Sequence, residues 1–286
     1  MISLSPPRVG GWQTGLPRQP CLGPRDSGPR LRQRQVRDAT WRSEVEWSVA
    51  PRSSLMFMLS AIPLVATLAA ASLLSLAARR SAHPWLVARW ALVAALVGSE
   101  LVEQIWPVLR HDWILSNTLP VQLSDLATVL TVASLARPKW RHIGALAYFW
   151  GVAAGCLGLA FPAIGAAYPS PLYFAFYVDH GALLTAGLVI AATGRLGIGW
   201  RAILFSWVAT MAAAVIAGTA NLLTGGDYMF LRSPPSTWSP LLVMGPWPWY
   251  VLVAWLLCPL LFMLLALPWW WGRLKPIVPP LAWQRR

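Results

Sequence analysis

The sequence predicts an all-α fold, a polytopic transmembrane helical bundle of about seven spans behind a disordered N-terminal tail, and three observations predict it. Of 286 residues, 57% are hydrophobic and 12% charged, with a mean hydropathy of +0.53, which is more apolar surface than a water-soluble domain can cover. The apolar residues fall in long runs, each near the ~20 residues that a helix needs to cross hydrocarbon. Proline and glycine punctuate the short links between runs, as at Pro84, Pro138, Pro162 and Gly225-Gly226.

Taken in order, residues 1–53 form a basic tail rich in Arg, Pro, Gly and Gln, with no apolar run of signal-peptide length and neither helical nor strand periodicity, so disorder is expected there. The composition changes so sharply after it that the natural initiator is expected near Met56 or Met58. The transmembrane domain covers 54–272, with spans at 55–76, 86–108, 119–135, 143–161, 172–192, 200–223 and 241–267. The third is the shortest and most polar. Residues 273–286 make a short basic tail.

Orientation follows from the basic residues of alternate loops. One side carries Arg79, Arg80, Arg137, Lys139, Arg141, Arg195, Arg201, Arg273, Lys275, Arg285 and Arg286, the other only Arg110 and Arg232. A multi-pass protein of the cell membrane is expected, its C-terminus cytoplasmic and its N-terminus outside. The formal net charge of +13 would suggest nucleic acid in a soluble protein, but nine of the 23 basic residues lie in the first 52 positions and the others cap spans, so no nucleic-acid partner is expected. Cys21, Cys156 and Cys258 are far apart in sequence and are expected to be buried small side chains rather than a disulfide or zinc set.

Charged groups within spans are expensive and tend to face the bundle interior or a wet cavity. Here they fall in one layer, on the side opposite the basic loops. Glu100, Glu103 and Gln104 share one face of the second span at i, i+3, i+4 spacing. Gln122, Ser124 and Asp125 open the third, Asp179 and His180 lie about nine residues into the fifth, Asn221 ends the sixth, and Asp227 and Tyr228 follow it. A polar cavity opening outward would satisfy all of them. Bland alternatives stand beside it. A lone intramembrane histidine is more often a helix-to-helix bonding group than a catalyst, and polar bridges between spans are ordinary. Glu100 and Glu103 also fit a plain interface. Tyr173, Phe176, Tyr177 and His180 form a stripe that suits core packing.

As chemistry, His180 is the one histidine placed within a span, hence the candidate general base. A hydroxyl such as that of Ser124 needs such a base, and Asp125, Asp179 or Glu103 could orient the imidazole. Acyl transfer or ester hydrolysis on a lipid would suit that trio. The last span holds no lysine for retinal, the sequence has no HExxH-type metal pattern, and it has no phosphate loop. Neither cofactor nor metal is expected.

Five motifs occur in order: Leu119-Pro120-Val121-Gln122-Leu123-Ser124-Asp125-Leu126; Tyr148-Phe149-Trp150-Gly151; His180; Asn221 with Gly226-Asp227-Tyr228-Met229-Phe230-Leu231; and Gly245-Pro246-Trp247-Pro248-Trp249-Tyr250. Together they resemble the YwaF-like family of integral membrane proteins, whose animal branch is transmembrane protein 164. The resemblance runs from about Leu55 to Trp270 and leaves the tail before Leu55 without a counterpart. It implies an acyltransferase moving a fatty acyl chain between phospholipids, with membrane lipids as partners and a phospholipid or lysophospholipid as substrate. It places Ser124 at the position of the family's cysteine nucleophile and His180 at that of its histidine. Serine is the weaker nucleophile at neutral pH and depends more on its base. A small-ligand binder, a transporter or a purely structural membrane protein is the rival expectation.

Overall fold

The computed structural model describes residues 54–80, 82–193 and 196–271, with side chains described for 62–76, 86–192 and 196–271. The expected disordered tail, residues 1–53, and the basic C-terminal tail lie outside the described residues, whereas Met56 and Met58, near which the natural initiator is expected, fall at the start of the first described helix. Among the described residues seven α-helices follow one another: α1 Ser54–Arg80, α2 Ala82–Leu109, α3 Leu123–Ala136, α4 Arg141–Ala160, α5 Pro171–Thr193, α6 Trp200–Thr224 and α7 Trp249–Trp270. Two short 3-10 helices, Tyr228–Phe230 and Pro240–Val243, lie between α6 and α7. Among the described residues there is no β-strand.

Five helices, α2 and α4 to α7, are long and apolar enough to cross a membrane. The side chains of α1 are described over only 15 apolar residues, Ile62–Leu76. The third expected span is shorter than its apolar run: α3 has 14 residues, a rise of about 21 Å against a hydrocarbon core of ~30 Å. It begins at Leu123 instead of 119 because Pro120 lies ahead of it and Gln122 is extended (φ −66°, ψ 157°). The seventh begins at Trp249 instead of 241. Gly245 (φ 100°) turns the chain there, in a conformation that favours glycine, and Pro246 and Pro248 withhold amide donors from any earlier helical turn.

Helix α5 is the hub. It packs against α1, α2, α3 and α4, whereas α6 and α7 pair with each other and meet the rest chiefly through α4. The share of buried residues is 61% in the spans of α4 and α5 but 17–28% in α2, α6 and α7, so those three, with α1 whose Ile62, Val65, Leu73 and Leu76 are exposed, carry most of the outward apolar surface. The cysteines of the described spans, Cys156 and Cys258, are free and half-buried, less enclosed than expected; Cys21 lies outside the described residues.

Three glycines of α4 let the hub form. A Cβ on Gly151 would stand 3.0 Å from the carbonyl oxygen of Leu183, and one on Gly155 would stand 2.6 Å from Leu184 Cβ and 2.7 Å from the carbonyl oxygen of His180. A Cβ on Gly158 would collide with the His180 ring. Two helices without a hydrophobic force between them in lipid associate through such close backbone approach. The expected outcome of Gly155→Ala is destabilisation of about 1–3 kcal/mol, the usual cost of overpacking. Gly98→Ala, whose Cβ would meet nothing within 4 Å, should leave thermal unfolding in detergent unchanged or slightly raised; equal behaviour of the two variants would contradict the packing argument.

Candidate functional site

The polar layer resolves into three groups at one end of the bundle. The first is an acidic set. Glu100 and Glu103, a turn apart on α2, face Asp125 of α3, and one carboxylate oxygen from each lies within 4.8 Å of the others. Gln104 donates to Glu100 Oε1 at 3.4 Å. Asp125 is 8% exposed. Its Oδ2 accepts the amide of Gln122 at 2.8 Å, closing the start of α3, and its Oδ1 accepts the Ser124 hydroxyl at a long 3.4 Å. These three residues could offer oxygen ligands to a hard cation, though such cations take six or more.

The second group lies one turn deeper. Asp179, 5% exposed, accepts Thr128 Oγ1 at 2.8 Å and Ser99 Oγ at 3.5 Å on its Oδ1. Its Oδ2 stands 3.6 Å from His180 Nδ1, so Asp179 is the carboxylate that faces the imidazole. His180 Nδ1 also lies 2.9 Å from the Phe176 carbonyl, and its ring stacks on Phe176 with centroids 4.1 Å apart. A carbonyl only accepts, so the neutral ring carries its proton on Nδ1 and leaves Nε2 as the basic nitrogen. The ring edge with Nε2 lies against Gly158 of α4. The aromatic stripe thus packs as expected, Tyr173 on Tyr177 at 5.1 Å and Phe176 on His180.

The third group ties the turn after α6 to the α2–α3 connection and to α7. Gly225, left-handed at φ 75°, ends α6. Asn221 then clasps the next turn with both amide atoms: Oδ1 accepts Tyr228 N at 2.6 Å, and Nδ2 donates to Tyr228 O at 3.0 Å. The Tyr228 hydroxyl donates to Leu115 O at 2.6 Å and accepts Leu119 N at 2.9 Å. Gln122 Oε1 accepts Met229 N at 2.7 Å, and Tyr250 Oη donates to Phe230 O at 2.6 Å. Asp227 accepts the amides of Arg232 and Ser233 at 2.8 and 2.9 Å, as well as the Ser233 hydroxyl. Met229 and Phe230 are held at φ 57° and 53°, a region costing a non-glycine residue on the order of 1–3 kcal/mol.

Beside the acidic set lies a cavity of about 290 Å³, lined among others by Glu103, Gln104, Gln122, Asp125, Leu172 and Phe176. Of the residues expected in a site, Glu103, Gln122 and Asp125 line it, and Ser124 and His180 do not. Among the described residues no hydrogen bond joins Ser124 to His180; each is bonded within its own helix. Gln104 of the expected polar layer also lines the cavity, and Phe176, expected only as core packing, does so as well. Their sequence signal was present, Gln104 on the face of Glu100 and Phe176 one turn from His180.

An all-helical bundle with several membrane-crossing helices and a carboxylate-lined cavity at one end defines a polytopic integral membrane protein. Residues 48–266 match the model of the TMEM164 family, which is more than half of the chain, and the chain belongs to that family. The match begins at residue 48, so the last part of the tail before Leu55 does have a counterpart there, contrary to expectation. The resemblance read from the motifs is borne out at the level of this family; the wider YwaF-like name is not part of the match. No curated protein matches the chain, and no solved structure does.

Removing the Tyr228 hydroxyl with Tyr228→Phe leaves Leu115 O and Leu119 N without their partner, which should cost about 1–3 kcal/mol. Thermal unfolding in detergent checks this, and an unchanged midpoint would mean that the clasp does not hold the α2–α3 connection.

Proposed function

We propose that this protein acts on acyl esters of membrane lipids at the carboxylate end of the bundle, which the distribution of basic loops assigns to the outer side. The observation that carries the proposal is the Nδ1–H donated to the Phe176 carbonyl, because it fixes the tautomer a general base needs. In this reading Ser124 is the nucleophile, His180 the base through Nε2, and Asp179 the group that orients the imidazole and offsets its charge. Nε2 removes the Ser124 proton as Oγ attacks the ester carbonyl. The proton passes to the departing lysophospholipid hydroxyl, and the acyl group is left on Ser124. A second lysophospholipid, or water, then takes up the acyl group, and the serine proton is restored. The family match and the order of the motifs support the assignment. The cavity supports it through its walls: Asp125 adjoins Ser124 in sequence and Phe176 stacks on His180. Productive contact then requires the Ser124 hydroxyl to leave Asp125 Oδ1 and come within hydrogen-bond reach of Nε2, with the Phe176 bond kept.

A non-catalytic binder of a small polar ligand is the second reading. It is favoured by a cavity that is lined by Glu103, Gln104, Gln122 and Asp125 and excludes both Ser124 and His180.

Intact-protein mass spectrometry after incubation with phospholipid separates the two. The expected outcome is a hydroxylamine-sensitive acyl adduct on the wild type, absent in Ser124→Ala and converted to a thioester in Ser124→Cys. Asp179→Asn should slow adduct formation by on the order of 10²–10⁴-fold, the range of general-base assistance. If neither adduct nor acyl-transfer product forms with any variant, the binding reading holds.

A further inference from the structure

Outside the tail, the acidic residues of the chain are Glu100, Glu103, Asp112, Asp125, Asp179 and Asp227, and all belong to the carboxylate half of the bundle. Among the described residues, the opposite end carries cations and no carboxylate. Arg89, near the start of α2, is 8% exposed. Its Nη2 donates to the carbonyl of Ala136, the last residue of α3, at 3.0 Å, and its guanidinium lies 5.2 Å from the Trp90 ring. Its Nε is buried without a hydrogen-bond partner. Among the described residues no carboxylate pairs with it, the one such contact being His180 with Asp179. A cation withdrawn from water without a counter-ion is costly, and an outside anion is the natural remedy.

The surroundings fit an anion that comes with hydrocarbon. The short connection after Ala136 exposes Arg137, Lys139 and Arg141. There α4 begins behind Trp140 with no side-chain cap and no acidic residue in its first turn, so its amide dipoles add to the positive field. Trp90 and Trp140 are 55% and 51% exposed beside these charges, the placement of aromatic anchors at headgroup depth. We propose that this end of the α2–α3–α4 unit holds the phosphate of an anionic phospholipid, with Arg89 as its inner donor, Arg137 and Arg141 as its outer ones, and Trp90 and Trp140 against the acyl chains. The site is independent of any chemistry at Ser124.

The test is native mass spectrometry and thermal unfolding of the full chain in detergent, with phosphatidylglycerol, phosphatidylcholine or inorganic phosphate added at matched ionic strength. The expected result is that phosphatidylglycerol is retained and raises the unfolding midpoint above that with phosphatidylcholine. Arg89→Met should weaken phosphatidylglycerol binding about fivefold, the effect of losing one cationic contact with an anionic headgroup, and Arg110→Gln at the opposite end should not. If Arg89→Met does not fold, Arg137→Gln with Arg141→Gln, both exposed, gives the same reading. Equal binding of the two lipids, full retention in the Arg89 or Arg137/Arg141 variants, or equal stabilisation by inorganic phosphate would each overturn the proposal, the last in favour of a free-phosphate site.

Discussion

The close approach of α4 to α5 is the constraint on which the rest of the bundle depends. In lipid the helices gain nothing from hiding apolar side chains from one another, so they associate only where backbones come near enough for dense contact. Gly151, Gly155 and Gly158 give α4 a bare strip, and α5 lies along it. Any side chain there would push α5 outward and loosen its contacts with α1, α2 and α3. The same strip makes room for the His180 ring, so a packing requirement and the position of the one intramembrane histidine have a common cause.

The Tyr148-Phe149-Trp150-Gly151 segment shows how one turn of α4 joins the remaining helices. Successive residues point about 100° apart around a helix. The Tyr148 hydroxyl donates to Leu265 O of α7 at 2.9 Å, Phe149 packs on Phe262 of α7 at 4.9 Å, Trp150 Nε1 donates to Thr210 Oγ1 of α6 at 2.9 Å, and Gly151 faces the backbone of α5. Each polar atom of the turn is satisfied by a different neighbour, as a medium without water demands. In this chain the segment therefore serves packing and helix-to-helix bonding.

Much of this was legible in the sequence because apolar run length and Pro/Gly punctuation map directly onto helices. The starts of α3 and α7 were misplaced because the apolar residues before them, Leu119 and Leu241 to Met244, are used in turns and a 3-10 helix. The polar layer was also legible as a layer. Its division was not, because periodicity fixes the face a side chain takes but not the partner it finds. Asn221, Asp227 and Tyr228 are expected in a polar layer and make the bonds of a clasp, while Gln122 both joins that clasp and lines the cavity. Asp179 as the partner of His180 could not be picked from sequence over Glu103 or Asp125, since adjacent residues on a helix usually diverge; here Oδ2 nonetheless stands 3.6 Å from Nδ1.

The clasp and the cavity are mechanically one object. Met229 and Phe230 stay in a left-handed conformation because Gln122, Asn221 and Tyr250 hold the chain on both sides. Gln122 is also the residue whose amide Asp125 accepts at the start of α3. The strained turn after α6 is thereby coupled through one glutamine to the first turn of the helix that carries Ser124 and Asp125. The turn between α6 and α7 is thus bonded directly to a residue that lines the cavity.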